Sequence, residues 1–328
     1  MANQTQQITV KDPGLATTIQ DQGRNGYYHL GIPQGGALDQ YSARVANVLV
    51  GNSEASAVLE CTYTGPSLEF DFDATIAVTG APTSIRVDGD EQDQWKSFNI
   101  NAGQTLDFGT IKAGARFYIA VRGGLNVPVV LGSRSTYIPG ALGGIDGRKL
   151  EAGDEIPCGD GNELSPVKEE QVPEEKRPEF SAEIELRIIL GLYDHKLTEQ
   201  GISNLTTQPW TLTPVADRAG MRFQGPGVEW KDEPQPFGAG SDPSNIVDAG
   251  YAVGSIQIPG GTSPIVLHRD SVSGGGYAMV GTVISADMDK VARATPGTKT
   301  SFIAIEMEEA LEARKVYNQA IQELDNLK

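Results

Sequence analysis

Positive charge, cysteine and histidine are all scarce in this chain. Its 328 residues hold 26 Lys and Arg against 43 Asp and Glu, a formal net charge of −17. Such a chain repels phosphate backbones and anionic headgroups, which excludes nucleic acid and membrane surfaces as partners. No apolar run approaches the length of a bilayer span, and the polar start, Met1 to Gln7, has no secretory apolar segment. A cytoplasmic protein is expected. The two cysteines, Cys61 and Cys158, are then read as free, buried thiols. His29, His195 and His268 are far apart and lack metal-ligand spacing, so no metal site is expected. A Gly-x-Ser-x-Gly nucleophile elbow and a phosphate-binding loop are missing as well.

Glycine and proline, by contrast, are plentiful, at 39 and 19. They separate short runs rich in Val, Ile, Thr and Phe, such as Ser67–Phe72, Thr75–Thr79, Arg116–Val121, Ile184–Leu190, Ile265–Leu267 and Ser301–Ile305. Strands of this length between turn signals predict a mostly β protein. Two helices interrupt it. Asp39 is placed to cap a helix from about Gln40 to Val50, with Tyr41, Val45, Val48 and Leu49 on one face and Gly51 ending it. Met307 to Lys328 repeats Met307, Leu311, Tyr317, Ile321 and Leu324 at helical spacing, with Glu308, Glu312, Lys315 and Glu323 opposite.

Around Pro166, Pro173 and Pro178 the chain is crowded with Lys, Glu and Arg and has almost nothing to bury. It reads as an exposed linker. The expected organisation is an N-terminal β domain over 1–160 with an inserted helix, a linker over 161–182, and a C-terminal β domain with a terminal helix over 183–328. Asp21–Tyr27 echoes Asp217–Phe223, and Gly65–Phe70 echoes Gly225–Trp230; two copies of one ancestral domain would give such echoes, and so would chance, since Gly-Pro turns before strands are common.

Four polar, glycine-rich segments carry the candidate chemistry. Thr17–Asp39 holds five glycines with Arg24, Tyr28 and Gln34 among them; glycine lets backbone N–H groups approach a ligand, and an arginine binds a carboxylate through two hydrogen bonds. Arg122–Pro128 followed by Gly132–Thr136 contributes Arg134. Gly240–Asp248 contributes Ser244, Asn245 and Asp248. His268–Tyr277 contributes Asp270, Ser273, Gly274, Gly275, Gly276 and Tyr277. Asp270 is expected to emerge from the barrel beside Ser244 and Asn245, with Gly274–Gly276 offering free N–H donors. Arg24 is expected to face a ligand from a loop with few packing contacts.

Ordered motifs now carry a resemblance. They are Thr17-Thr-Ile-Gln-Asp-x-Gly-Arg24, Gly36-Ala-Leu-Asp39, Ala46-Asn-x-Leu-Val-Gly-Asn52, Leu59-Glu-Cys-Thr62, Gly65-Pro-Ser-Leu68, Val121-Arg-Gly-Gly124 and Leu131-Gly-Ser-Arg-Ser-Thr-Tyr137. Together they resemble the biotin-dependent carboxyltransferase domain family, also called the allophanate hydrolase subunit 2 family, from about Gly14 to Ala313. Its members include the C subunit of 5-oxoprolinase, half of the carboxyltransferase region of urea carboxylase, and an antagonist of a sporulation-kinase inhibitor. Pro243–Asp248, Tyr251–Ser255 and Arg269-Asp270 resemble urea carboxylase, whereas Val283–Met288 and Glu308–Arg314 resemble the free-standing subunits.

The resemblance implies two cyclophilin-like β-barrel-type domains, a subunit-1-type partner chain and a small-molecule substrate. No Met-Lys-Met biotin attachment site is present, so biotin would arrive on another chain or domain, and ATP would be used by the assembled enzyme, with a biotin carrier or a third catalytic subunit taking part. Three functions follow. The first is carboxyl transfer from carboxybiotin to a urea-like or amide nitrogen, with Asp270 or Asp248 as the carboxylate and Arg24 in the catalytic set. The second is ATP-dependent hydrolysis of 5-oxoproline without biotin. The third is a non-enzymatic regulator that binds a partner protein.

Overall fold

A computed structural model describes residues 6–161, 164, 167 and 171–323. Leu324 and the expected helix end at Lys328 lie outside the described residues, as do 162–163, 165–166 and 168–170 of the expected linker. The chain forms two compact units, Met1–Asn25 with Gly35–Phe180 and Ala320–Lys328, and Gly26–Gln34 with Ser181–Gln319. Residues 26–34 therefore go with the second unit and 320–323 with the first, unlike the sequence division.

The first unit stacks two antiparallel sheets. One contains β1 (Gln7–Asp12), β4 (Ser67–Phe70), β6 (Ile85–Val87), β7 (Asp90–Gln92), β9 (Thr105–Phe108) and β11 (Glu155–Pro157), in the order β11-β1-β4-β9-β6-β7. The other contains β2 (Ala16–Gln20), β3 (Val58–Thr62), β5 (Ala74–Gly80), β8 (Ser97–Ile100) and β10 (Arg116–Val121), in the order β2-β3-β10-β5-β8. Strand periodicity sorts the side chains. Phe117, Ile119 and Val121 of β10 enter the core with Leu59 and Cys61 of β3 and with Ile8, Val10, Leu68 and Phe70 from the first sheet. Tyr118 and Glu60 pair directly across the strands on the opposite face, over which α1 (Gln40–Leu49) packs.

Asp39 caps α1, its Oδ1 accepting from Ser42 N at 3.1 Å. Cys61 and Cys158 are free and buried; burial pushes the Cys158 thiol up to about 12 and the Cys61 thiol higher still. The expected linker is strapped down where it is described. Val172 is 1% exposed, its N–H donates to Trp95 O at 2.8 Å, and the Phe180 ring lies against Gly114. Its apolar residues are few, but they fall where the sheet edge can receive them.

In the second unit β12 (Glu183–Leu190), β13 (Trp210–Ala216), β14 (Gly220–Gln224), β16 (Ser255–Gln257), β17 (Ile265–Leu267), β19 (Met279–Val283) and β20 (Lys299–Ala304) close a seven-strand barrel. The order is β12-β19-β16-β17-β14-β13-β20, and the parallel pairing of β20 with β12 seals it. Phe223 and Phe302 meet edge to face at 5.5 Å inside, an arrangement aromatic rings prefer. β15 (Asn245–Gly250) and β18 (Gly274–Tyr277) form a separate two-stranded ribbon. The helices are α2 (Glu199–Thr207), capped by Thr198, α3 (Met288–Arg293) and α4 (Met307–Gln322). Tyr317 of α4 donates to Asp289 Oδ2 at 2.7 Å, while Met307 and Leu311 are exposed.

Asp287 ties β12 to the start of α3. It accepts from Arg187 Nη2 at 2.7 Å, Arg187 Nε at 2.9 Å and Arg187 N at 2.9 Å. Burial opposes its charge, yet the Arg187 side chain and N–H, with Lys290, hold the carboxyl below its ordinary pKa. A lowered folded-state pKa stabilises above the ordinary carboxylate value, and that contribution is lost as pH falls through it. Asp287→Asn is therefore expected to lower the melting temperature at pH 7 and to flatten the fall in stability below about pH 4. Thermal unfolding across pH 3–7 checks this; an unchanged acid limb would refute it.

Candidate functional site

The second unit gathers Tyr28, Gln34, Arg218 and His268–Ser271. Tyr28 sits on a short 3₁₀ turn, Tyr28–Leu30, which Gly31 ends with φ 77°. Beyond β17 the chain keeps pairing with the run before β14, His268 N donating to Ala219 O at 2.9 Å and Asp270 N to Arg218 O at 3.0 Å. Ser271 N then turns back to His268 O at 3.0 Å, and Arg269 N donates to His268 Nδ1 at 3.0 Å. Arg269 Nη1 reaches Gln34 Oε1 at 3.5 Å.

The Tyr28 hydroxyl and the Ser271 hydroxyl are both buried and make no well-formed hydrogen bond. Burial pushes the Tyr28 phenol above its ordinary pKa; Arg269 and the nearby Ser271 hydroxyl oppose that rise, and Asp270 adds to it. Ser271 is 2% exposed. Two buried hydroxyls beside a guanidinium form a set of donors suited to an oxygen that gains negative charge.

Asp270 is 7% exposed, and both its oxygens are taken by Arg218, from Nε at 2.8 Å and from Nη2 at 3.0 Å. Neither a capped surface turn nor a free base describes it. The ion pair fixes the 268–271 loop, and the hydrogen bonds of Asp270 go to Arg218. Ser244 Oγ donates to Asp242 Oδ1 at 2.6 Å and accepts from Gly260 N at 3.1 Å, and Asn245 Nδ2 donates to Ala239 O at 2.9 Å.

The glycine run is a strand, not an open donor loop. Gly274 pairs with Gly250 and Gly275 with Ala249. Gly275 is needed because a Cβ there would lie 3.1 Å from the Tyr251 ring, and Tyr251 is bound by hydrogen bonds of 2.9 Å to Tyr277 O and Tyr277 N. Ser273 O accepts from Tyr251 N at 2.9 Å. Asp248 lies where the β15 register shifts and is exposed.

Arg24 and Arg134 belong to the first unit. Asp21 accepts from Gly23 N at 2.8 Å, Ser133 Oγ at 2.6 Å, Arg134 N at 2.6 Å and Ser135 Oγ. That carboxylate binds two loops more than 110 residues apart. Arg134 spends its guanidinium on Val127 O at 2.8 Å and Asn126 Oδ1 at 2.9 Å. Arg24 is 1% exposed, donates to Ser135 O, and lies so close to Gly143 that a Cβ there would be 2.9 Å from its Nη2. The expectation of few packing contacts is overturned.

Sequence reasoning passed over Arg218 and Ser271. Both stood inside segments already singled out, so the signal for them was position.

A profile described as carboxyltransferase domain, subdomain A and B, matches residues 30–304. The chain belongs to the carboxyltransferase-domain family. It is 33% identical over 328 residues to urea amidolyase of Saccharomyces cerevisiae, covering 98% of this chain and 18% of that protein. It is 32% identical over 313 residues to the C subunit of 5-oxoprolinase from Escherichia coli, covering 95% of each. The crystal structure of Kluyveromyces lactis urea carboxylase superposes with a TM-score of 0.92 at 30% identity, over 100% of this chain and 30% of that one. This family member thus spans less than a third of that urea carboxylase and nearly all of the 5-oxoprolinase chain. No helix among its described residues is long and apolar enough to cross a membrane.

Arg24→Ala removes a buried side chain and leaves the Ser135 carbonyl without its donor. It is expected to cost at least about 3 kcal/mol. Urea denaturation measures this; unchanged stability would return Arg24 to the ligand-facing reading.

Proposed function

We propose that this chain is one subunit of a heteromeric enzyme that transfers a carboxyl group from carboxybiotin, carried on another polypeptide, to the nitrogen of a small urea-like or amide substrate. The observation that carries the reading is the pair of buried hydroxyls, Tyr28 Oη and Ser271 Oγ, which lie near each other and Arg269 and make no well-formed hydrogen bond. When bound, carboxybiotin supplies the carboxyl group. The donor set fits such a group because a urea or ureido oxygen needs donors and neither hydroxyl is committed to a well-formed hydrogen bond.

As a substrate N–H loses its proton, charge moves onto the carbonyl oxygen. Tyr28 and Ser271 donate to that oxygen, and the Arg269 guanidinium supports the charge. The raised pKa of Tyr28 keeps its proton in place through neutral and mildly basic pH. Arg218, bound to Asp270, holds Ser271 in position. Of the two carboxylates considered for the proton, Asp248 is the one that no guanidinium of the described residues binds, and it takes the proton in this reading.

A second reading is favoured by the 95% two-way coverage of the 5-oxoprolinase C subunit. The same hydroxyl pair would then hold a lactam carbonyl in an ATP-dependent hydrolysis without biotin. Reconstitution separates the two. The chain is combined with a subunit-1-type partner and either a biotin carrier with its carboxylase or the third catalytic subunit. Urea-dependent or amide-dependent consumption of carboxybiotin is expected, with negligible turnover by the isolated chain. Tyr28→Phe and Ser271→Ala are each expected to lower kcat about 10²-fold with little change in melting temperature. Wild-type rates in both variants, or robust turnover by the chain alone, would sink the proposal.

A further inference from the structure

Apart from the Tyr28–Ser271 pair, the second unit buries a positive charge without a negative one. Lys196 ends the short turn Asp194–Lys196 after β12 and is 9% exposed. Its Nζ donates to Gln235 Oε1 at 3.1 Å and to Asn245 O at 3.1 Å. Both acceptors are neutral, and among the described residues no carboxylate lies within ion-pair distance of it. An ammonium carries three donors. Two carbonyl oxygens leave one donor and the whole charge to be met, and lysines are almost never buried this far unless paired.

The surroundings are built to hold the amine there. Lys231 N donates to Lys196 O at 2.9 Å and Lys231 Nζ to His195 O at 2.7 Å, which fastens the 231–245 loop over the turn. Asn245 Nδ2 closes the same loop onto Ala239 O at 2.9 Å. Asn245 also begins β15, opposite Tyr277 of β18. The charge therefore sits at the root of the ribbon that carries Asp248 and Gly274–Gly276.

We propose that Lys196 is the charged floor of a subsite for a small carboxylate. The inference rests on the carboxyl-handling reading above and sharpens its substrate class, because a neutral urea or amide would give this charge no partner. Two sources present the same chemistry: a carboxylate already attached to an amide substrate, and the carboxyl group newly placed on the acceptor nitrogen.

Titration calorimetry on the full chain tests the subsite with two matched pairs. 5-Oxoproline against 2-pyrrolidinone compares one lactam with and without a carboxylate. Malonamate against malonamide does the same for a stable mimic of a carboxylated urea. In the wild type, the anion of at least one pair is expected to bind at least tenfold more tightly than its neutral counterpart. Lys196→Met erases that preference and Lys196→Arg retains it. A preference in the first pair assigns the carboxylate to the substrate, and in the second to the transferred group. If Lys196→Met does not fold, Lys196→Gln serves, since its amide can still donate to the two carbonyls without a charge. No anion preference in either wild-type pair, or an unchanged preference in the uncharged variant, overturns the proposal. Binding is read without turnover, so a failure of carboxyl transfer in the assembled enzyme is told apart from a failure here.

Discussion

The first unit turns on one buried carboxylate. Glu60 lies under α1, where its Oε2 accepts from Leu38 N at 2.7 Å and from Tyr118 Oη at 3.0 Å, with Arg116 Nε 3.8 Å from Oε1. Tyr118 Oη in turn accepts from Asp39 N at 2.8 Å. Two consecutive amides are thus fixed to the sheet immediately before the helix, and the Asp39 side chain caps it. Burial, with Glu60 and Asp39 beside it, holds the Tyr118 phenol well above its ordinary pKa. Without Glu60, a hydroxyl and an amide would lose their acceptor and a guanidinium its nearby counter-charge in a buried place, which is far costlier than the net value of any one of these interactions.

The segments that carry the family resemblance are, in large part, ties of this kind. Asp21 joins its own loop to Ser133–Ser135. Asn52 links Asn47 to Val121 O and receives Gly123 N, and Arg122 reaches Gly161 O, Val50 O and Leu164 O. Each residue spends its polar groups on closing loops around α1 and β10. These motifs therefore mark the architecture of the first unit, while Tyr28, Arg269 and Ser271 belong to the second.

Local pattern made the elements legible. Arg116–Val121 and Ile265–Leu267 are strands at the residues where alternation and turn signals placed them, and Asp39 caps its helix. What escaped depends on partners distant in sequence. Arg24 looks like a loop arginine until the Ser135 and Gly143 segments close over it. Asp270 looks like a free carboxylate until Arg218, 52 residues earlier, takes both oxygens. Three glycines in a row suggest an open loop, yet they form a ribbon strand in which a side chain at Gly275 would crowd the Tyr251 ring and side chains at Gly274 and Gly276 would crowd the Ala249 and Ile246 carbonyls. Tyr28 and Gln34 were legible as site candidates, but not their company with Arg269 and Ser271.

The second unit draws residues 26–34 from a stretch of chain that the first unit resumes at Gly35. Its hereditary boundary and its physical boundary therefore differ. A recombination event that exchanged everything after Phe180 would carry the barrel and Ser271 from one parent and Tyr28 from the other. Each such hybrid would bring together Tyr28 and Ser271 from different parents, so an exchange at Phe180 does not transfer this unit whole.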